Sequence, residues 1–257
     1  GGLVVTGSGI SKQDILVNGE TIQQIGPDLS TVHANRVIDA SGKYVLPGII
    51  DTHSHPGETD RIKTLSLSAA FGGVTTVIPF VSKRSSLDGT TVTDIAQIFI
   101  EEGEQTSVLD FGVHAILVGD DDVADQVPKL IKKGVVSFKM FMTYPGMGIW
   151  MPDDKMIHAM NLASAGGGCV MVHAENGYCI DYLVDKFTAE GKTAPEYYAP
   201  SQPRILEVEA ATRAATYATV TGCPTYIVHL SAREILDVLS RFKSEGLSLY
   251  GETCPQY

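Results

Sequence analysis

Two histidines one residue apart, His53 and His55, follow the apolar run Pro47-Gly48-Ile49-Ile50-Asp51. On an extended chain, positions i and i+2 face the same side, so both imidazoles can reach one ion. Two further histidines each close a β-branched run: His173 in Val170-Met171-Val172-His173, and His229 in Tyr226-Ile227-Val228-His229. A lysine, Lys139, stands inside the apolar stretch Val135-Val136-Ser137-Phe138-Lys139-Met140-Phe141-Met142. A buried ammonium costs several kcal/mol unless it is paired or neutralised. Either this lysine points outward toward a neighbouring helix, or it is buried as a neutral amine that condenses with carbon dioxide. The carbamate so formed is a two-oxygen anion able to bridge two metal ions. One such residue has an ordinary structural explanation. Together, four imidazoles and a carbamate suit one or two borderline divalent ions, with zinc the best match. His33, in a loop, and His158, on a predicted helix, read as surface residues; His114, alternating within a strand, is less easily set aside.

The elements that must position these groups fall into two zones. Up to about residue 46, short β-type runs alternate with turn signals: Leu3–Thr6, Asp14–Val17 before Asn18-Gly19, and Thr21–Ile25 before Gly26-Pro27. An Asn-Gly pair between two such runs is a strong hairpin signal. Val37–Ala40 and Tyr44–Leu46 make another candidate pair, and the whole reads as a small antiparallel β unit. From Pro47 onward, apolar strands alternate with amphipathic helices. Strands are expected at Ile49–His53, Val74–Phe80, Phe111–Leu117, Val135–Met142, Cys169–His173, Thr225–Leu230 and Leu247–Glu252. Helices are expected at Thr93–Glu101, Val123–Lys132, Asp153–Ala165, Ile180–Glu190, Arg204–Thr219 and Ala232–Glu245.

That rhythm predicts an α/β fold with a parallel sheet covered by helices, and its seven repeats point to a (β/α)8 TIM-type barrel. No GxGxxG follows the first strand, which disfavours a dinucleotide-binding sheet. Such a barrel usually takes about 250 residues, whereas about 210 follow the β unit. An eighth strand is needed to close it and remove two open edges. The expected organisation is therefore residues 1–46 as the N-terminal part of a small β-sandwich domain, and 47–257 as a C-terminally incomplete barrel. Reactive groups of such barrels stand at the C-terminal strand ends, where His53, His55, His173 and His229 fall.

Composition narrows the class. Nineteen basic against thirty acidic residues give a formal charge of −11, which argues against nucleic-acid or anionic-membrane partners. Apolar residues make up 44% of the chain, enough for a sizeable core. No apolar run approaches the ~20 residues of a membrane span, and no secretory signal is visible. The four cysteines form no CxxC pair. A cytoplasmic enzyme or binding protein is the expectation.

Several segments, in order, resemble one family: PGIIDTHSH, AAFGGVTTVIPF, SFKMFMTYPG, VMVHAENG, SQPRILEVEAATRA, YIVHLSA and YGETCPQY. They are similar to the amidohydrolase superfamily, most closely its cyclic-amidase branch of dihydropyrimidinases and hydantoinases. The resemblance implies a hydrolase that opens the cyclic amide of dihydropyrimidines or hydantoins with a metal-bridging hydroxide. It implies that His53 and His55 bind one divalent ion, His173 and His229 a second, and carboxylated Lys139 bridges the two. Tyr144 matches the family tyrosine that donates a hydrogen bond to the developing oxyanion. A homotetramer is also implied. Asp51 is a candidate to fix an imidazole tautomer. Two departures stand out. The family's aspartate ligand and general base would lie beyond Tyr257. The segment after His55, Pro56-Gly57-Glu58-Thr59, is short and faintly resembles allantoinases and dihydroorotases, although Arg61 is not at the spot where dihydroorotases carry an arginine. An allantoinase- or dihydroorotase-like hydrolase and a non-catalytic dihydropyrimidinase-like scaffold are the alternatives.

Overall fold

The structure, a computed structural model, describes residues 1–56, 60–83 and 91–257. Gly57-Glu58-Thr59, on which the allantoinase-like resemblance rested, lie outside the described residues. Strands β1 (Gly2–Thr6), β2 (Gly9–Asn18), β3 (Thr21–Gly26) and β4 (Tyr44–Val45) form one sheet in the order β3-β2-β1-β4. The Asn-Gly signal corresponds to a two-residue turn: Asn18 pairs with Thr21, and Gly19 takes φ +59°, a conformation that costs glycine little. The second candidate hairpin does not form. Val37 and Ile38 are 84% and 74% exposed and outside any strand, and β4 instead pairs with β1 in parallel. A short apolar run signals β-propensity but not which sheet edge is free to receive it.

The second sheet begins at β5 (Ile49–Ser54) and continues through β6 (Val74–Val81), β7 (Asp110–Phe111), β8 (His114–Ile116), β9 (Ser137–Phe141), β10 (Cys169–His173), β11 (Thr225–Ile227) and β12 (Leu249–Gly251). All its pairings are parallel, in the order β12-β11-β10-β9-β8-β6-β5, with β7 beside β6. The expected strand over Phe111–Leu117 is split. β7 pairs with Thr76 and Val77 of β6, and β8 with Phe80 and Val81; Pro79, which has no N–H to give the ladder, lies opposite the break. Helices α1 (Ile62–Phe71), α2 (Val92–Thr106), α3 (Val123–Lys132), α4 (Asp153–Ala165), α5 (Gly177–Ala189), α6 (Tyr198–Ser201), α7 (Ile205–Thr221) and α8 (Ile235–Ser244) fill the connections. The architecture is a curled half-barrel of seven parallel strands in succession, covered by helices. Among the described residues no helix is long and apolar enough to cross a membrane.

Strand alternation sorts side chains onto two faces. Phe138 and Met140 of β9, Val170 and Val172 of β10, and Ile227 of β11 enter the main core, with the helices. α7 presents Ala210, Ala211, Ala214, Ala215 and Ala218 to that core, all at most 2% exposed; these small side chains let the helix backbone approach the sheet. The opposite, concave face carries a smaller cluster of Phe80, Ile116, Val118, Met171 and Val228, with Phe141, Ile149 and Tyr226 against it. Lys139 lies between Phe138 and Met140 in sequence, so its side chain goes to this concave face.

Phe138 is fully buried in the helix-side layer, so Phe138→Ala should cost about 3–5 kcal/mol of stability. Urea unfolding of parent and variant measures it; a loss under 1 kcal/mol would contradict this assignment of the core.

Candidate active site

The five residues singled out by type and spacing, and Tyr144, which the resemblance added, lie together on the concave side of the parallel sheet toward its C-terminal end. His53 is the penultimate residue of β5 and His55 directly follows the strand; Lys139 is central in β9, and Tyr144 comes just after that strand. His173 ends β10 and His229 follows β11. The Nε2 atoms of His53 and His55 are 3.4 Å apart. Two nitrogens bound to one tetrahedral zinc ion at about 2.0–2.1 Å are roughly 3.3–3.4 Å apart, so this pair is spaced to share an ion. The rings of His173 and His229 meet edge-on, with centroids 4.4 Å apart, and His229 is 5.7 Å from His53. Among the described residues, no three His, Cys, Asp or Glu side chains converge on a single point. The imidazoles instead form two pairs, each short of ligands unless Lys139 supplies a shared one.

Lys139 is 1% exposed. Its Nζ lies 5.5 Å from the Phe80 ring and 5.3 Å from the Phe141 ring. Phe80 stacks on His55 and meets His53 edge-on, while Phe141 packs on His173. The lysine thus stands between the two histidine pairs. Burial pulls its pKa down to about 7, against the opposing pull of Glu252. A substantial fraction of the amine is therefore unprotonated near neutrality, the form that can react with carbon dioxide. Burial first, and the nearby imidazoles and Lys139 second, also lower His229 to about 3 and His55 to about 4, although His55 is exposed on the surface of the site. Neutral imidazoles are the ligand form. His53 and His55 therefore fit one divalent ion in spacing, and the four imidazoles with Lys139 fit a pair of ions in composition.

Two of the six residues reach the site through an uncommon backbone. Tyr144 has φ +62° and His229 φ +42°, the only positive values among the described non-glycine residues. Simple alternation would turn both away: Lys139 and Phe141 face inward, so the even-numbered Tyr144 would face outward, and His229 directly follows the inward Val228. The left-handed conformation reverses that sense. It brings the Tyr144 ring to 5.3 Å from His173 and the His229 ring onto the same imidazole. Such residues cost about 1–3 kcal/mol each and persist where their surroundings impose them. One support for the first is Gly177 of α5, where an added Cβ would stand 2.7 Å from the Thr143 Cα. Only glycine allows the loop before Tyr144 so close to that helix.

Three polar residues complete the setting. Glu252 Oε1 lies 2.7 Å from His53 Nδ1, obliquely enough that no aligned hydrogen bond forms. Glu175 Oε2 bonds His173 Nε2 at 2.7 Å. His114, 8% exposed, contacts Ser137 Oγ and the Thr52 carbonyl, the latter at 3.1 Å, and so ties β5 to β8 and β9. Beside His55 a cavity of about 300 Å³ opens, lined largely by Ile116, Val118, Phe141 and Ile149, with Lys83 at its rim.

No protein-family model matches the chain. It is 39% identical over 264 residues to a D-hydantoinase of Rhizobium radiobacter, covering all of this chain and 56% of that protein. To a D-hydantoinase of Streptomyces coelicolor it is 37% identical over 269 residues, covering all of this chain and 57% of the relative. The crystal structure of dihydropyrimidinase from Brevibacillus agri superposes with a TM-score of 0.87 at 34% identity, over 100% of this chain and 56% of that one. Over its full length the chain is homologous to D-hydantoinases and dihydropyrimidinases. It spans about half the length of the curated relatives it matches.

Some site residues escape the sequence pattern. Asp51 was the candidate to fix an imidazole; it instead accepts the backbone N–H of His53 at 3.0 Å. The carboxylate at the imidazole is Glu252, 199 positions away in sequence. Its only sequence signal is a polar residue ending an apolar strand. Glu175, two after His173, had the same signal. Arg61 is held by Glu102 of α2 at 2.6 Å. His33 and His158 are exposed, as expected.

The backbone at His229 makes a stability prediction independent of chemistry. His229→Asn and His229→Val both remove the imidazole, but asparagine tolerates left-handed φ and valine does not. The asparagine variant should be more stable than the valine variant by about 1–2 kcal/mol, read from denaturant midpoints. Equal stabilities would contradict the strained conformation.

Proposed function

We propose that this chain carries the metal centre of a hydantoinase- or dihydropyrimidinase-type hydrolase, which opens the cyclic amide of hydantoins or dihydropyrimidines. The observation that carries the reading is the buried Lys139 amine between two imidazole pairs, one of which has zinc-like Nε2 spacing. The relatives named D-hydantoinase and dihydropyrimidinase support the same reading. His53 and His55 would hold one divalent ion and His173 and His229 a second. Lys139, carboxylated at Nζ, would contribute oxygens to both. Zinc suits this nitrogen and oxygen donor set. When bound, such ions supply Lewis acidity and lower the pKa of water to near neutrality.

The chain's own residues provide the rest. Phe80 and Phe141 shield the Lys139 amine from water, which favours its neutral form. The amine attacks carbon dioxide and loses a proton, leaving a carbamate with the charge two cations need. Burial, Glu175 and Tyr198 raise the pKa of Tyr144, so its phenol stays protonated. It is then a hydrogen-bond donor for the amide oxygen as negative charge develops there. The cavity beside His55, at the small end of ligand-site volumes, takes the ring and an apolar substituent. The β1–β4 sheet, with Val17 and Ile22 exposed, serves as the N-terminal part, residues 1–46, of a small sandwich domain next to the incomplete barrel of residues 47–257.

Hydantoin, dihydrouracil, allantoin and dihydroorotate, offered side by side to the protein carrying this sequence, test the substrate class. Turnover of the first two is expected. Tyr144→Phe should keep the fold and lower kcat by about 10²–10³-fold. Mass spectrometry under native conditions should find the mass of one carbon dioxide on the parent and none on Lys139→Ala. A parent with neither the adduct nor turnover of any of the four refutes the proposal.

A further inference from the structure

An imidazole is a well-aimed metal ligand only when its second nitrogen is held, because that contact selects the tautomer and fixes the ring plane. The two best-defined rings of the site are each met by a carboxylate, and at opposite nitrogens. His53 turns Nε2 toward His55 and has Glu252 at Nδ1, 2.7 Å away. His173 gives Nε2 to Glu175, also at 2.7 Å, which leaves Nδ1 toward the site. These side chains are 13–23% exposed, so the contacts are only partly screened by water. Glu252 is also braced through its backbone. Its N–H donates to the Ile227 carbonyl at 3.0 Å, and its carbonyl accepts from Leu230 N–H at 2.7 Å. It therefore straps together the segment containing the left-handed His229. Glu175 sits directly before Asn176, whose Oδ1 accepts the Cys179 N–H at 3.1 Å and starts α5. Neither carboxylate is on a freely moving loop end.

We propose that Glu252 and Glu175 are positioning residues for the metal centre. The Glu252 carboxylate, 2.7 Å from His53 Nδ1 though not aligned with its N–H, favours the proton there electrostatically and so presents Nε2; Glu175, hydrogen-bonded to His173, holds the proton on Nε2 and presents Nδ1. Each carboxylate also makes its imidazole a stronger donor. This rests on the two-ion reading above and adds to it the atoms that aim two of the ligands. The competing view is that the carboxylates occupy ring nitrogens that an ion would otherwise take. The two views differ in sign: an aiming carboxylate strengthens metal binding, and an obstructing one weakens it.

The test uses metal-free protein titrated with zinc in competition with a chromophoric chelator. Glu175→Gln and Glu252→Gln should each bind zinc about 10–100-fold more weakly than the parent. Glu234→Gln, on a surface carboxylate paired with Arg204, should match the parent. Far-UV circular dichroism and the unfolding midpoint separate lost affinity from lost fold. Nitrogen-15 NMR of the metal-free parent gives a second reading that needs no variant, with His53 protonated at Nδ1 and His173 at Nε2. The opposite tautomers, or glutamine variants with unchanged or tighter zinc affinity, overturn the inference while leaving the metal centre standing. A parent that binds no zinc overturns both.

Discussion

An amine taken out of water without a counter-ion is the constraint around which this site is built. Lys139 occupies the middle of a central strand, 1% exposed, with aromatic rings on two sides. Neither ring can neutralise it as an anion would, and a buried ammonium costs several kcal/mol. The amine escapes that cost by shedding its proton, which is why its pKa falls to about 7. The rings that desolvate it are the ones that support the histidines: Phe80 under His53 and His55, Phe141 beside His173. One small aromatic layer both sets the lysine's chemistry and spaces its neighbours.

Around that layer, the sheet supplies direction and the loops break its rules where direction must change. Strand alternation alone sends Lys139 inward and Phe138 and Met140 into the helix-side core. It also accounts for His53 with His55 at a two-residue spacing, and for His173 two residues after Met171. Tyr144 and His229 are out of step with their strands, and each is restored by a left-handed backbone. The strain is placed at the concave face and balanced by packing behind it, as at Gly177, where a helix lies against the loop at a distance that excludes a side chain. Local cost at such positions is a common feature of functional sites.

Charge is distributed with similar economy. Two carboxylates of the site, Glu175 and Glu252, meet imidazoles. Burial alone would raise Glu252, yet His53 and Lys139 outweigh it and hold its pKa below the ordinary value. His114 carries no such partner: burial brings it to about 4, and as a neutral ring it bridges Thr52 and Ser137. It works as a brace between strands.

Local sequence determined whatever depends on period and neighbours. The alternation of strands and helices was readable because apolar periodicity is a property of each segment. His53, His55, Lys139, His173 and His229 were readable for a related reason: each interrupts or ends an apolar run, where a polar group needs a special explanation. Tertiary structure alone decided what depends on distance across the sheet or on the backbone of a single residue. No pattern in residues 37–46 says that Tyr44–Val45 takes the β1 edge in parallel while Val37–Ala40 stays outside. Nothing near His53 says that its carboxylate comes from Glu252, just past the far edge strand, because that meeting is made by curvature of the whole sheet. The left-handed turns at Tyr144 and His229 were equally hidden, since no glycine marks them. Packing holds them against their local preference, and local preference is what a sequence displays.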